Sequence, residues 1–128
     1  MAKVNAKKKT LKMYHLSTCS TCKGAIKELK EHGYELELHE IRETPPSVEE
    51  LGAFIRLSGL PISKWTNTSG EAYREQGLKD VMPKLSDEEK IRLLAMNGML
   101  IKRPIITDGE KITVGYKEAD VGPAWFGR

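Results

Sequence analysis

Apolar and polar positions along the chain change period several times, and each change marks an element. From Thr10 to His15 they alternate, with Leu11 and Met13 on one side, which predicts a short strand. After Cys19 the period lengthens: Cys22, Ala25, Ile26 and Leu29 recur at helical spacing, while Lys23, Lys27, Lys30 and Glu31 face outward. Gly33 stands where helices end in a left-handed turn. Tyr34, Leu36 and Leu38 then alternate with Glu35, Glu37 and His39, which predicts a half-buried strand. Pro45-Pro46 breaks the chain, and Ser47 with Glu50 three residues on predicts a capping box. The helix it opens carries Leu51, Phe54 and Ile55 on its apolar face and ends near Gly59. Trp65 to Gly77 is less regular. Ser86 and Glu89 predict a second capping box, opening a helix with Ile91, Leu94 and Ala95 that closes at Asn97-Gly98. IKRPIITDGEKITVGY predicts a hairpin: Ile105 and Ile106, a turn at Asp108-Gly109, then Ile112 and Val114. A short helix is expected from Lys117.

Strand, helix and strand, then several helices and a late antiparallel pair, is the order of an α/β, thioredoxin-like fold: a central mixed sheet flanked by helices. The helices at about 45–98 form an insertion between its halves. One domain is expected over 10–122, after a basic flexible leader at 1–9 and before a tail at 123–128. A chain of 128 residues, 39% apolar and 30% charged, fits a single domain with one real core. No apolar run approaches the roughly 20 residues of a membrane-spanning helix. The N-terminus lacks the apolar centre of a secretory signal, so a cytoplasmic protein without a membrane partner is expected.

The net charge of +3 sits in the leader, where Lys3, Lys7, Lys8, Lys9 and Lys12 meet no acid before residue 13. Without those lysines, 16 basic residues face 18 acidic ones. A nucleic-acid binder carries its basic stripe on a folded face, so direct nucleic-acid binding is not expected.

The chain holds only two cysteines, Cys19 and Cys22, in the segment CSTC. A cysteine between a strand and a helix faces the helix's free amides and its dipole, which stabilise the thiolate. At pH 7.4 a thiol with a pKa of about 8.5 is under a tenth ionised, whereas about 6.5 leaves most of it ionised. Cys19 occupies that position and is the candidate nucleophile. Cys22, one turn further in, is placed to close a disulfide on a mixed-disulfide adduct. Two other readings stay open. A structural zinc site would need further ligands from His15, His32 or His39, none at a usual spacing. Alternatively the two thiols have no chemistry. His15, four residues before Cys19, is a candidate donor to its thiolate, and Arg103 could offer its fork to a thiolate or an oxyanion.

LSTCSTCKGA, NTSGEAYREQGLKD, NGMLIKRPIITDG and VGYKEAD resemble the arsenate-reductase-like (ArsC/Spx/YffB) family of the thioredoxin superfamily, over nearly all of 10–120. The NTSG and GMLIKRP segments are most like its YusI-type members. The resemblance implies that Cys19 is the reactive cysteine, that His15 helps keep it ionised, and that Arg103 and a cis Pro104 face it. The glutaredoxin-dependent arsenate reductases of the family have one cysteine here and three arginines around the oxyanion. The first arginine's place falls on Asn67 and the third near Gly115, so Arg103 alone remains. Lys102 or Lys64 is a weak substitute, because lysine lacks the bidentate fork. The second cysteine is shared with Spx-like members, whose CxxC pair is a redox switch on a protein that binds the RNA polymerase α subunit. There Gly52 or Gly59 would mark the partner surface, although each is also explained by its place in a helix or at a helix end.

The expectation that follows is a monomeric thiol–disulfide oxidoreductase. Cys19 is its nucleophile, Cys22 its resolving thiol and His15 a thiolate stabiliser. Arg103, Asn67 and Pro104 line the site. No cofactor or metal is bound, and electrons come from glutathione, glutaredoxin or thioredoxin. An arsenate reductase and a redox-switched regulator bound to the RNA polymerase α subunit are the alternatives.

Overall fold

The computed structural model describes residues 9–128, so all of the basic leader except Lys9 lies outside the described residues. Strand β1 (Thr10–His15) leads into helix α1 (Ser20–Glu31) and strand β2 (Glu35–Glu40), which pairs parallel to β1. The insertion carries α2 (Val48–Ser58), α3 (Glu71–Glu75), α4 (Leu78–Val81) and α5 (Asp87–Met96), with short 3-10 turns between and after them. Strands β3 (Ile105–Thr107) and β4 (Ile112–Val114) form the expected hairpin, and α6 (Glu118–Val121) follows. The sheet order is β2-β1-β3-β4, with β3 antiparallel to β1, so the sheet is mixed and flanked by helices. Among the described residues no helix is long and apolar enough to cross a membrane.

The alternation along β1 and β3 divides the core in two. Leu11 and Met13 with Ile106 face α1, packing on Cys22, Ala25 and Leu29. Tyr14 and Ile105 face the insertion, packing with Leu51, Phe54, Trp65, Leu94 and Leu100. Strand β1 is central, so both of its faces are covered. Strand β2 is an edge, and Leu38, expected on the buried side, is 40% exposed there.

Local end signals are realised unevenly. Ser86 and Glu89 form a complete capping box. At Ser47 only half forms: its hydroxyl accepts the Glu50 amide, but the Glu50 carboxylate turns away to Tyr14 and Lys12. Gly59 ends α2 with φ +69, a conformation that glycine adopts without steric cost. The expected tail is corrected. Gly122–Phe126 forms a π-helical turn whose Trp125 is buried against the α1 face of the sheet and donates to Thr113 Oγ1 at 2.9 Å. Arg128 then pairs with Glu28 and Glu118. A tryptophan stabilises folding far more when buried than in solvent, so the packed chain runs past 122.

Candidate active site

Strand β1 ends at His15, and the short segment 16–19 turns the chain into α1. The Cys19 amide donates to the Leu16 carbonyl at 2.9 Å, closing that turn. Cys19 is then the N-cap of α1, with extended backbone (φ −85°, ψ 119°), and its Sγ accepts the Cys22 amide at 3.4 Å. A sulfur in this position takes the part that serine or aspartate plays at other helix starts, and a thiolate fills it better than a thiol. Both cysteines are free, Cys19 half-buried and Cys22 with no exposed surface.

The two thiols are driven apart. Burial pushes Cys19 up, but the Cys22 amide and thiol, the Thr21 amide and the Arg103 charge together hold it below its ordinary value. Burial pushes Cys22 up to about 12, and hydrogen bonding to Cys19 and the charge on it act in the same direction. One thiol is thus half-buried and eased toward ionisation, while its neighbour is enclosed and held protonated.

Arg103 arrives from the other side of the sheet's end. The chain before it is braced: the Lys102 amide donates to Trp65 O at 2.8 Å, and Thr66 bridges Ile101. The Arg103-Pro104 bond is cis, and Pro104 O accepts the Gly115 amide at 2.9 Å. The Arg103 guanidinium donates from Nη1 to Ile101 O at 3.2 Å, while its Nε is buried without a partner. No carboxylate within the described residues forms an ion pair with it. Its charge acts on both cysteines, so the thiolate of Cys19 is its natural counter-charge.

Cys19 and Cys22 are therefore joined at the start of α1, and the Arg103 charge acts on both. The other expected site residues bond elsewhere. His15 stands half-buried at the end of β1, and its charge acts on Glu40. The Asn67 amide donates to Leu100 O at 2.8 Å and its side chain reaches Met99 O at 3.5 Å, bracing the loop that precedes Arg103. Lys64 is exposed, and the Lys102 stem fills the space above Gly115, which has φ +80. No group of three or more His, Cys, Asp or Glu among the described residues is placed to hold a metal ion. Glu40 was not anticipated. The parallel register sets it opposite His15, and its carboxylate accepts the Ser17 amide at 3.0 Å. Only the strand pairing reveals this, since nothing local in the sequence connects position 40 with position 17.

The chain matches the sequence model of the ArsC family over residues 14–123. It is 49% identical over 116 residues to Uncharacterized protein YusI of Bacillus subtilis (strain 168), covering 91% of this chain and 98% of that protein. It is 29% identical over 106 residues to an arsenate reductase of Neisseria meningitidis serogroup A / serotype 4A, covering 82% and 89%. A crystal structure from Bacteroides fragilis, described as ArsC family related, superposes with a TM-score of 0.83 at 41% identity, covering 93% of this chain and 98% of that one.

Proposed function

This chain belongs to the ArsC family, and on that premise we propose that it catalyses thiol–disulfide exchange through Cys19 and Cys22. The observation that supports this most is the asymmetry of the pair: a half-buried thiol held below its ordinary pKa, one turn from an enclosed thiol held above it. The Cys19 thiolate attacks a disulfide, forming a mixed disulfide and releasing one substrate thiolate, which takes a proton from solvent. The Cys19 charge is thereby lost, and with it a charge that opposed ionisation of Cys22. Cys22 loses its proton and attacks the Cys19 sulfur, closing the Cys19–Cys22 disulfide and releasing the second substrate thiol. The substrate has gained two electrons and the protein has lost two. A dithiol such as glutaredoxin or thioredoxin, or two molecules of glutathione, restores the pair. Arg103 neutralises the thiolate at each stage, and no bound cofactor takes part.

The redox midpoint tests this. Titration in glutathione buffers, with thiols counted by alkylation and mass spectrometry, is expected to show a reversible two-electron couple between about −180 and −300 mV. Failure to form the intramolecular disulfide would reject the reading.

One observation favours a second reading. The buried Arg103 Nε has a hydrogen to give and no acceptor, as in a site that holds an oxyanion. Arsenate reduction through Cys19 alone, with glutaredoxin as reductant, would use that donor. It would have only this arginine, because asparagine and glycine occupy positions 67 and 115. Arsenate-dependent turnover in a Cys22→Ala variant would establish it.

A further inference from the structure

The segment between β1 and α1 is short, and its conformation decides where the Cys19 sulfur sits. Two bonds hold it. One is the turn from the Cys19 amide to Leu16 O at 2.9 Å, local to the segment. The other comes from across the sheet: the Glu40 carboxylate, at the end of β2, accepts the Ser17 amide through Oε1 at 3.0 Å. Glu40 is itself held in place. Its Oε2 accepts the Arg42 amide at 3.5 Å, and its carbonyl accepts the Thr44 amide at 2.8 Å. In the parallel ladder its residue partner is His15, whose carbonyl accepts the Ile41 amide at 2.8 Å.

We infer that Glu40 is the positioning residue for the Cys19 nucleophile. The inference rests on the exchange reading above. A carboxylate bonded to the Ser17 amide fixes residue 17, and so the turn that delivers Cys19 to the N-cap of α1. There the Cys22 amide reaches its sulfur at 3.4 Å. The carboxylate is kept ionised in this role. Burial raises its pKa, but the Ser17 hydroxyl and amide, the Arg42 amide and the charge on His15 outweigh burial and hold it below the ordinary range.

The sign of one measurement separates this from a charge effect. The pKa of Cys19 is read from the pH dependence of its alkylation by iodoacetamide. The wild-type chain is compared with Glu40→Gln and Glu40→Ala. A through-space effect of the Glu40 charge would destabilise the thiolate, so both Glu40 variants would then react faster at pH 7. A positioning role gives the opposite for alanine: Glu40→Ala slows alkylation at pH 7 by about threefold or more, the size of losing one aligned helix-start hydrogen bond. Glu40→Gln, which still accepts the Ser17 amide, stays near wild type. Thermal unfolding of each variant checks that the fold is intact, and Glu40→Gln provides the test if the alanine variant does not fold. Faster alkylation in both Glu40 variants, or wild-type alkylation in Glu40→Ala, overturns the inference. An ordinary thiol pKa for Cys19 in the wild-type chain would instead overturn the exchange reading itself.

Discussion

Deleting the Cys22 sulfur from a chain that already carries Cys19→Ala isolates the buried thiol. In that background the hydrogen bond and charge from Cys19 are gone, and burial, the largest cause of the raised Cys22 pKa, remains. At pH 7 the thiol is neutral whether the chain is folded or not. Cys22 has no exposed surface and packs among Leu11, Met13, Ala25, Leu29 and Ile106. Cys22→Ala leaves a small void there and removes the sulfur that meets the Leu16 amide, at a cost of about 2 kcal/mol. Above pH 9 the balance changes. The unfolded thiol ionises near its ordinary value of 9.0, while burial keeps the folded one protonated to higher pH. The unfolded state then binds fewer protons, so stability falls as pH rises. At pH 10 this loss is about 1.4 kcal/mol, one unit past the ordinary pKa. The advantage of cysteine over alanine at position 22 should therefore shrink from about 2 to about 0.6 kcal/mol between pH 7 and pH 10.

Urea unfolding of the two chains in the presence of a phosphine reductant, at pH 7, 8, 9 and 10, measures that difference directly. Lysines and tyrosines titrate in both chains and cancel. An advantage that is the same at pH 7 and pH 10 would mean that Cys22 ionises in the fold as freely as in solution. The order of steps proposed for exchange would then lose its physical basis, since that order relies on Cys22 staying protonated until Cys19 is consumed.

Arg103→Met should raise the pKa of Cys19, followed by thiolate absorbance near 240 nm, without lowering the urea midpoint, because the variant no longer buries an unpartnered donor. An unchanged thiolate titration would show that the guanidinium is not its counter-charge. Gly98→Ala should destabilise the fold by about 3 kcal/mol: a Cβ there would lie 1.9 Å from the Ile41 carbonyl oxygen, so the backbone at the end of β2 must move. Urea unfolding checks this, and a loss under about 1 kcal/mol would mean that the close approach is not maintained.

The elements legible in the sequence are those fixed by residues close together in the chain. The complete box at Ser86 and Glu89, the Asp108-Gly109 turn and the alternation in β1 are all local, and each is present. What was not legible depends on a second segment. Glu50 gives up its half of the Ser47 box because Lys12 and Tyr14, on a strand 36 to 38 residues earlier, offer its carboxylate better partners. Leu38 is exposed because β2 is an edge, and strand order is not written in the period of one strand. Trp125 looked like part of a tail because its acceptor, Thr113, lies on the far strand of the hairpin. At the site, Arg103 entered through the chemistry of its fork and then the family resemblance, and Glu40 through the parallel register alone.

The asymmetry of the cysteine pair is the exception, a tertiary property that a local pattern already contains. Four consecutive residues, CSTC, do not say which thiol is enclosed. The period beyond them does. Cys22, Ala25 and Leu29 fall on one helix face, and that face must cover the sheet if α1 is to bury anything. Cys19 precedes the first turn, where side chains have not yet joined the buried stripe and the backbone amides are still free. The spacing that predicts the helix thus also predicts a buried thiol at 22 and an amide-facing thiol at 19, as observed. The direction of the proposed exchange follows from it: the outer sulfur would attack the substrate first, and the inner sulfur would then attack the outer one.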